Sequence, residues 1–100
     1  MKGVLYMLNG SYDLTVLAMG QEKKGAMTLV EDNGNLSGSI ETMGMKLEFS
    51  EGVADGDNYR FTVSAQNKKL EFWGKIDENG KVDGEGKMGF ISMVVLGQRQ

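Results

Sequence analysis

Apolar and polar residues alternate with a period of two along most of this chain, and glycine breaks the alternation at short intervals. That pattern suits half-buried strands and excludes amphipathic helices, which need a period near 3.6. Eight runs carry it. Their predicted inward residues are Tyr12, Leu14, Val16 and Ala18; then Ala26, Thr28 and Val30; then Leu36, Gly38 and Ile40; then Met45, Leu47 and Phe49. The second half continues with Tyr59, Phe61, Val63 and Ala65; Leu70, Phe72, Gly74 and Ile76; Val82, Gly84, Gly86 and Met88; and Phe90, Ser92, Val94 and Leu96.

The breaks between runs read as turns. Asn33-Gly34 and Asn79-Gly80 are strong hairpin signals, because a type I′ turn needs φ > 0 at both central residues. Gly44 and Gly89 mark two more tight turns. Gly20 to Gly25 and Gln66 to Lys69 read as short loops, and Glu51 to Asn58 as the longest connection. The fold class expected is all-β: an eight-stranded antiparallel up-and-down meander closed into a barrel, as one domain over residues 1–100. Residues 1–9 read as a lead-in strand.

An internal repeat links 10–50 with 57–98. Tyr12-Asp13-Leu14-Thr15-Val16-Leu17-Ala18 matches Tyr59-Arg60-Phe61-Thr62-Val63-Ser64-Ala65, Lys23-Lys24 matches Lys68-Lys69, and the Asn-Gly turns correspond, all at a spacing of about 46 residues. One four-stranded unit would leave its edges bare; two closed on each other remove them.

Gly10-Ser11-Tyr12 at the start of the first run and Arg99 at the end of the last carry a resemblance. In this, and in its eight meandering strands, the chain resembles the calycins (lipocalins, fatty-acid-binding proteins and avidins). Lipocalins open with Gly-x-Trp and close with an arginine that packs over the ring. The resemblance implies Arg99 over Tyr12 and a small ligand held inside the barrel.

The residue inventory narrows the chemistry. There is no cysteine and no histidine, so no disulfide framework, no thiolate nucleophile and no imidazole base or zinc ligand. The predicted inward positions hold no ionisable acid or base except tyrosine. Their polar groups are Tyr12, Thr28, Tyr59 and Ser92, with Thr42 and Gln98 as further candidates, and none is equipped for acid–base catalysis. No catalytic residue, cofactor or metal is expected. The net charge of −3 argues against a nucleic-acid partner. No run reaches the roughly 18 apolar residues of a membrane helix, so no membrane partner is expected either, and the expected location is cytoplasmic.

Two surfaces stand out. Tyr12, Thr28, Phe49, Tyr59, Phe61, Phe72 and Ser92 would line a ligand site inside the barrel. Lys23, Lys24, Lys68 and Lys69 would stand at its mouth and steer a small apolar, anionic ligand inward. At the other end gather Glu31, Asp32, Glu51, Asp55, Asp57, Asp77 and Glu78. On the outside, Leu17, Met19, Met27, Leu29, Ile91, Met93 and Val95 would form one apolar patch across strands one, two and eight, an expected homodimer interface. The functional reading is non-catalytic binding of a small ligand. The alternatives are an interaction module with a solid core, and a histidine-free isomerase or cyclase with a tyrosine acid.

Overall fold

The computed structural model describes residues 8–42 and 44–100. Eight strands follow in order: β1 (Gly10–Ala18), β2 (Gln21–Asp32), β3 (Asn35–Thr42), β4 (Met45–Asp55), β5 (Asn58–Ala65), β6 (Lys68–Ile76), β7 (Lys81–Met88) and β8 (Ile91–Arg99). Each pairs antiparallel with the next, and β8 returns to β1 to close the barrel. Leu8 and Asn9 precede β1 without joining a strand. The rest of the lead-in strand expected over residues 1–9 lies outside the described residues.

The connections are tighter than the sequence reading expected. Gly20 to Gly25 is no loop: a two-residue turn at Met19 and Gly20 leads straight into β2. Glu51 to Asn58 is no long connection either, since β4 runs to Asp55 and a two-residue turn at Gly56 and Asp57 starts β5. The turns at Met19-Gly20, Asn33-Gly34 and Gln66-Asn67 have φ > 0 at both central residues, as a type I′ hairpin demands. Between β6 and β7, the Asp77 carboxylate Oδ1 accepts the backbone N–H groups of Asn79 (2.9 Å) and Lys81 (3.0 Å) and holds the longer turn.

These turns decide which side chains face inward. Directly opposed residues in an antiparallel pair share a face. Ala18 opposes Gln21, so the inward residues Tyr12 and Leu14 oppose Met27 and Gly25. Met27 and Leu29 are therefore buried, while Thr28 and Val30 are exposed and Ala26 is half-buried on the outer parity. Met88 likewise opposes Ile91, so Gly84 and Gly86 oppose Val95 and Met93, which are buried. Phe90, Ser92, Val94 and Leu96 all point out. The inward parity predicted for the second and eighth strands is thus reversed; on the other six it holds. β4 changes parity within itself. Gly38 opposes Phe49 but Leu36 opposes Gly52, so Ser50 and Glu51 bulge out together and the inward set becomes Phe49, Gly52 and Ala54.

Aromatic rings fill the barrel. Phe49 stacks on Phe61 with centroids 3.9 Å apart and planes within 6°, and Phe61 meets Phe72 at 5.3 Å. The glycines on β6 and β7 make room for them. Tyr59 opposes Gly74, which opposes Gly84, and the Tyr59 ring reaches across both until its hydroxyl rests where a Gly84 Cβ would stand. A Cβ on Gly86 would lie 2.9 Å from the Phe72 ring. The space that glycines open is occupied by the neighbouring rings, a recurrent way of packing a strongly curved sheet.

Candidate functional site

The two ends of the barrel differ in how they are sealed. At the end where the β2–β3, β4–β5 and β6–β7 turns lie, Leu8, Tyr12, Leu36, Ile76 and Val82 are all fully buried. The Tyr12 hydroxyl donates to the Leu8 carbonyl (2.9 Å), and the Leu8 N–H donates to Glu31 Oε1 (2.9 Å). Arg99 lies over the Tyr12 ring, 5.3 Å from its centroid, and its Nη2 donates to the Tyr12 hydroxyl (2.8 Å). This is the ring–arginine contact that the Gly10-Ser11-Tyr12 opening implied. Seven acids lie in or within three residues of the turns at this end: Glu31, Asp32, Asp55, Asp57, Asp77, Glu78 and Asp83. Among the described residues, no three of the acidic side chains converge as a metal site would require.

Among the described residues, the opposite end is less deeply buried. The half-buried apolar residues packed against the core are Ala18, Leu47, Ala65, Met88 and Ile91. All five lie beside the β1–β2, β3–β4, β5–β6 and β7–β8 turns. Five lysines come within three residues of these turns, Lys23, Lys46, Lys68, Lys69 and Lys87, against two acids, Glu22 and Glu41.

A groove of about 650 Å³ opens on the outer wall at this end. Asn67, Lys68, Lys69, Glu71 and Lys87 give it polar walls; Met88, Phe90 and Ile91 give it an apolar floor and lip. Phe90 sits in the β7–β8 turn and is fully exposed. Lys24 pairs with Glu22 at 3.5 Å on the far side of the barrel, and among the described residues the three groove lysines are in no ion pair. The period-two alternation places Phe90 in the eighth strand, with Gly89 alone as the turn. The signal that places it in the turn instead is the two-residue Gly-x pattern.

The remaining predicted site residues divide plainly. Tyr12, Phe49, Tyr59, Phe61 and Phe72 face inward but form packed core rather than the wall of an empty pocket. Thr28 and Ser92 are exposed on the outer wall, and Gln98 is exposed too, its amide donating to the Asn79 carbonyl (2.8 Å). Thr42 is buried. Lys23, Lys24, Lys68 and Lys69 are exposed. Of the expected interface, Met27, Leu29, Met93 and Val95 are buried in the core and Ile91 is half-buried. Leu17 and Met19 remain exposed. Tyr59, like Tyr12 a buried phenol, has a hydroxyl without a hydrogen-bond partner among the described residues. Burial, and secondarily the nearby Asp83 carboxylate, raise its pKa above that of a free phenol. It is a weaker acid than tyrosine in water, which is the wrong direction for a proton donor.

A second groove, of about 570 Å³, crosses the outer wall beside Trp73, between Arg60, Asn58 and Asp55 on one side and Lys75 and Asp83 on the other.

The fold is that of a closed antiparallel meander barrel of eight strands. Among solved structures, a redesigned β-barrel is similar to it, with a TM-score of 0.75 over 93% of this chain and 91% of that one, at 16% sequence identity. No protein-family model and no curated protein sequence matches the chain.

Proposed function

We propose that this barrel is a non-catalytic binding protein whose site is its less deeply buried basic end, and that it takes anionic amphiphiles there. The observation that carries this is the pairing of Lys68, Lys69 and Lys87, engaged in no ion pair among the described residues, with the apolar surface of Met88, Phe90 and Ile91 in one groove. A small site with a few polar groups over an apolar floor is the usual ligand geometry. The calycin-like reading placed such a ligand deep inside. The rings of Phe49, Phe61 and Phe72 pack against one another inside the barrel, which favours a ligand whose apolar part rests at the mouth and whose anionic head lies on the lysines. The test is an NMR titration with decyl phosphate kept below its micelle concentration, with decanol as the uncharged control. Shifts confined to residues 66–71 and 86–92, and absent with decanol, support the site; no shifts, or shifts spread over the sealed acidic end, refute it.

A second reading concerns self-association. Leu17 opposes Val94, and Leu96 lies next on the same outer face, so the β1–β8 wall carries three exposed aliphatic side chains in a row. A two-fold axis would lay this strip on its equivalent in a second copy. A single monomeric species at high concentration in sedimentation velocity, identical in a Val94→Asp variant, would rule this out.

A further inference from the structure

We propose that the basic end as a whole docks on the surface of an anionic lipid bilayer, with the Phe90 turn inserted between headgroups. This rests on the binding reading above and names its partner. Three features of the same end converge. Phe90 is fully exposed at the tip of the β7–β8 turn, and Met19 is 78% exposed at the tip of the β1–β2 turn. β1 and β8 are paired, so these two tips are neighbours. A solvated turn has no need of large apolar residues, and glycine or asparagine suits the positive φ of Met19 (54°) better. Between and beneath the tips lies the half-buried apolar ring of Ala18, Ala65, Met88 and Ile91. Around them stand Lys23, Lys46, Lys68, Lys69 and Lys87. Apolar tips framed by lysines are the pattern of an interfacial anchor.

The net charge of −3 opposes this, but its distribution does not. The molecule is 44 Å long, seven of its fourteen acids lie by the far turns, and at the near end five lysines outnumber Glu22, Glu41 and the groove's Glu71. At physiological ionic strength charges are screened over about 8 Å, so the bilayer senses the near end. A nucleic acid would satisfy the lysines but offers no apolar layer for Phe90 and Met19. Interfacial docking needs no spanning segment, so the shortness of the apolar runs in this chain does not bear on it.

The test is co-sedimentation with vesicles of phosphatidylglycerol and phosphatidylcholine, beside vesicles of phosphatidylcholine alone. Binding is expected to the mixed vesicles only, and to weaken when sodium chloride is raised to about 0.5 M. A Lys68→Glu/Lys69→Glu double variant is expected to lose about tenfold or more in partitioning, and Phe90→Ser a similar factor. Lys75→Glu, beside the acidic end, is expected to change nothing. Phe90 is fully exposed, so F90S keeps its fold, as its circular dichroism and melting temperature will show, even if the lysine double variant does not. Binding of decyl phosphate without binding to vesicles would overturn the docking and leave the groove reading intact. Failure of both would overturn both. Equal binding to neutral vesicles, or retention on a heparin column without vesicle binding, would overturn the docking as well.

Discussion

Tyr59 and Gly38 show how single residues set limits on this barrel. The Tyr59 hydroxyl is buried, set against Gly84 and without a hydrogen-bond partner among the described residues. A buried hydroxyl without a partner costs about 1–3 kcal/mol. Tyr59→Phe is therefore expected to leave stability unchanged or raise it by about 1 kcal/mol, measured by urea unfolding. The same side chain has a pH signature. Its pKa is raised in the fold, so the fold favours the neutral phenol. That contribution is fully present below the ordinary tyrosine pKa of about 10 and is lost as pH rises from there toward the raised folded value. Stability should fall above about pH 10, and Tyr59→Phe should remove this residue's share of the fall. Gly38 is constrained in the other direction. Its φ is +148°, and a Cβ there would overlap the Thr28 carbonyl oxygen. Gly38→Ala is expected to cost more than about 2 kcal/mol in the same assay, because strain and backbone displacement add.

At the scale of elements, the β4–β5 seam is the weak line. Every other neighbouring pair is in register along most of its length, but β4 and β5 pair only at Val53–Arg60, Ala54–Tyr59 and Asp55–Asn58. The bulge at Ser50 and Glu51 turns β4 away, and beyond it the seam is bridged by the Phe49–Phe61 stack rather than by a ladder. Amide hydrogens of β4 and β5 on either side of that stack should exchange faster than those of the β1–β2 ladder. Hydrogen exchange read by NMR checks this; uniform protection around the barrel would contradict it. The β5–β6 turn offers the opposite case. Gln66 and Asn67 both hold positive φ, at 49° and 69°. Replacing them by Asn-Gly suits a type I′ turn better and should raise the melting temperature by a few degrees, for a gain of about 0.5–1 kcal/mol.

For the whole molecule, closure makes parity collective. Inward residues on each strand oppose inward residues on the next, and the chain of register returns from β8 to β1, where Val16 opposes Val95. Leu29 and Met93 are thereby committed to the core. Leu29→Lys or Met93→Glu would bury an unpaired charge, whose cost of several kcal/mol is comparable to the whole stability of a small domain. These variants are expected to unfold the protein rather than to dissociate a dimer. Circular dichroism distinguishes the two, since a folded monomer would keep its strand signal. The same closure leaves the molecule polar from end to end, sealed and acidic at one end, less deeply buried and basic at the other, and it is this asymmetry that gives the binding proposals a direction.

The local pattern alone determined the class of fold, the eight strands and six of their inward faces, because period-two alternation and Asn-Gly turns are local signals. It also located the lysines and the Gly10-Tyr12-Arg99 corner. It did not determine the inward faces of β2 and β8. There both parities are apolar enough to be buried: Met27 and Leu29 compete with Ala26 and Val30, and Met93 and Val95 with Val94 and Leu96. Turn length breaks such a tie, since one residue more or less in a turn moves the whole strand to its other face. The tertiary structure also decided that the spaces beside Gly84 and Gly86 are taken by the Tyr59 and Phe72 side chains. Whether a glycine leaves a hole depends on the ring that reaches across from a neighbouring strand, as Tyr59 reaches to Gly84 from two strands away.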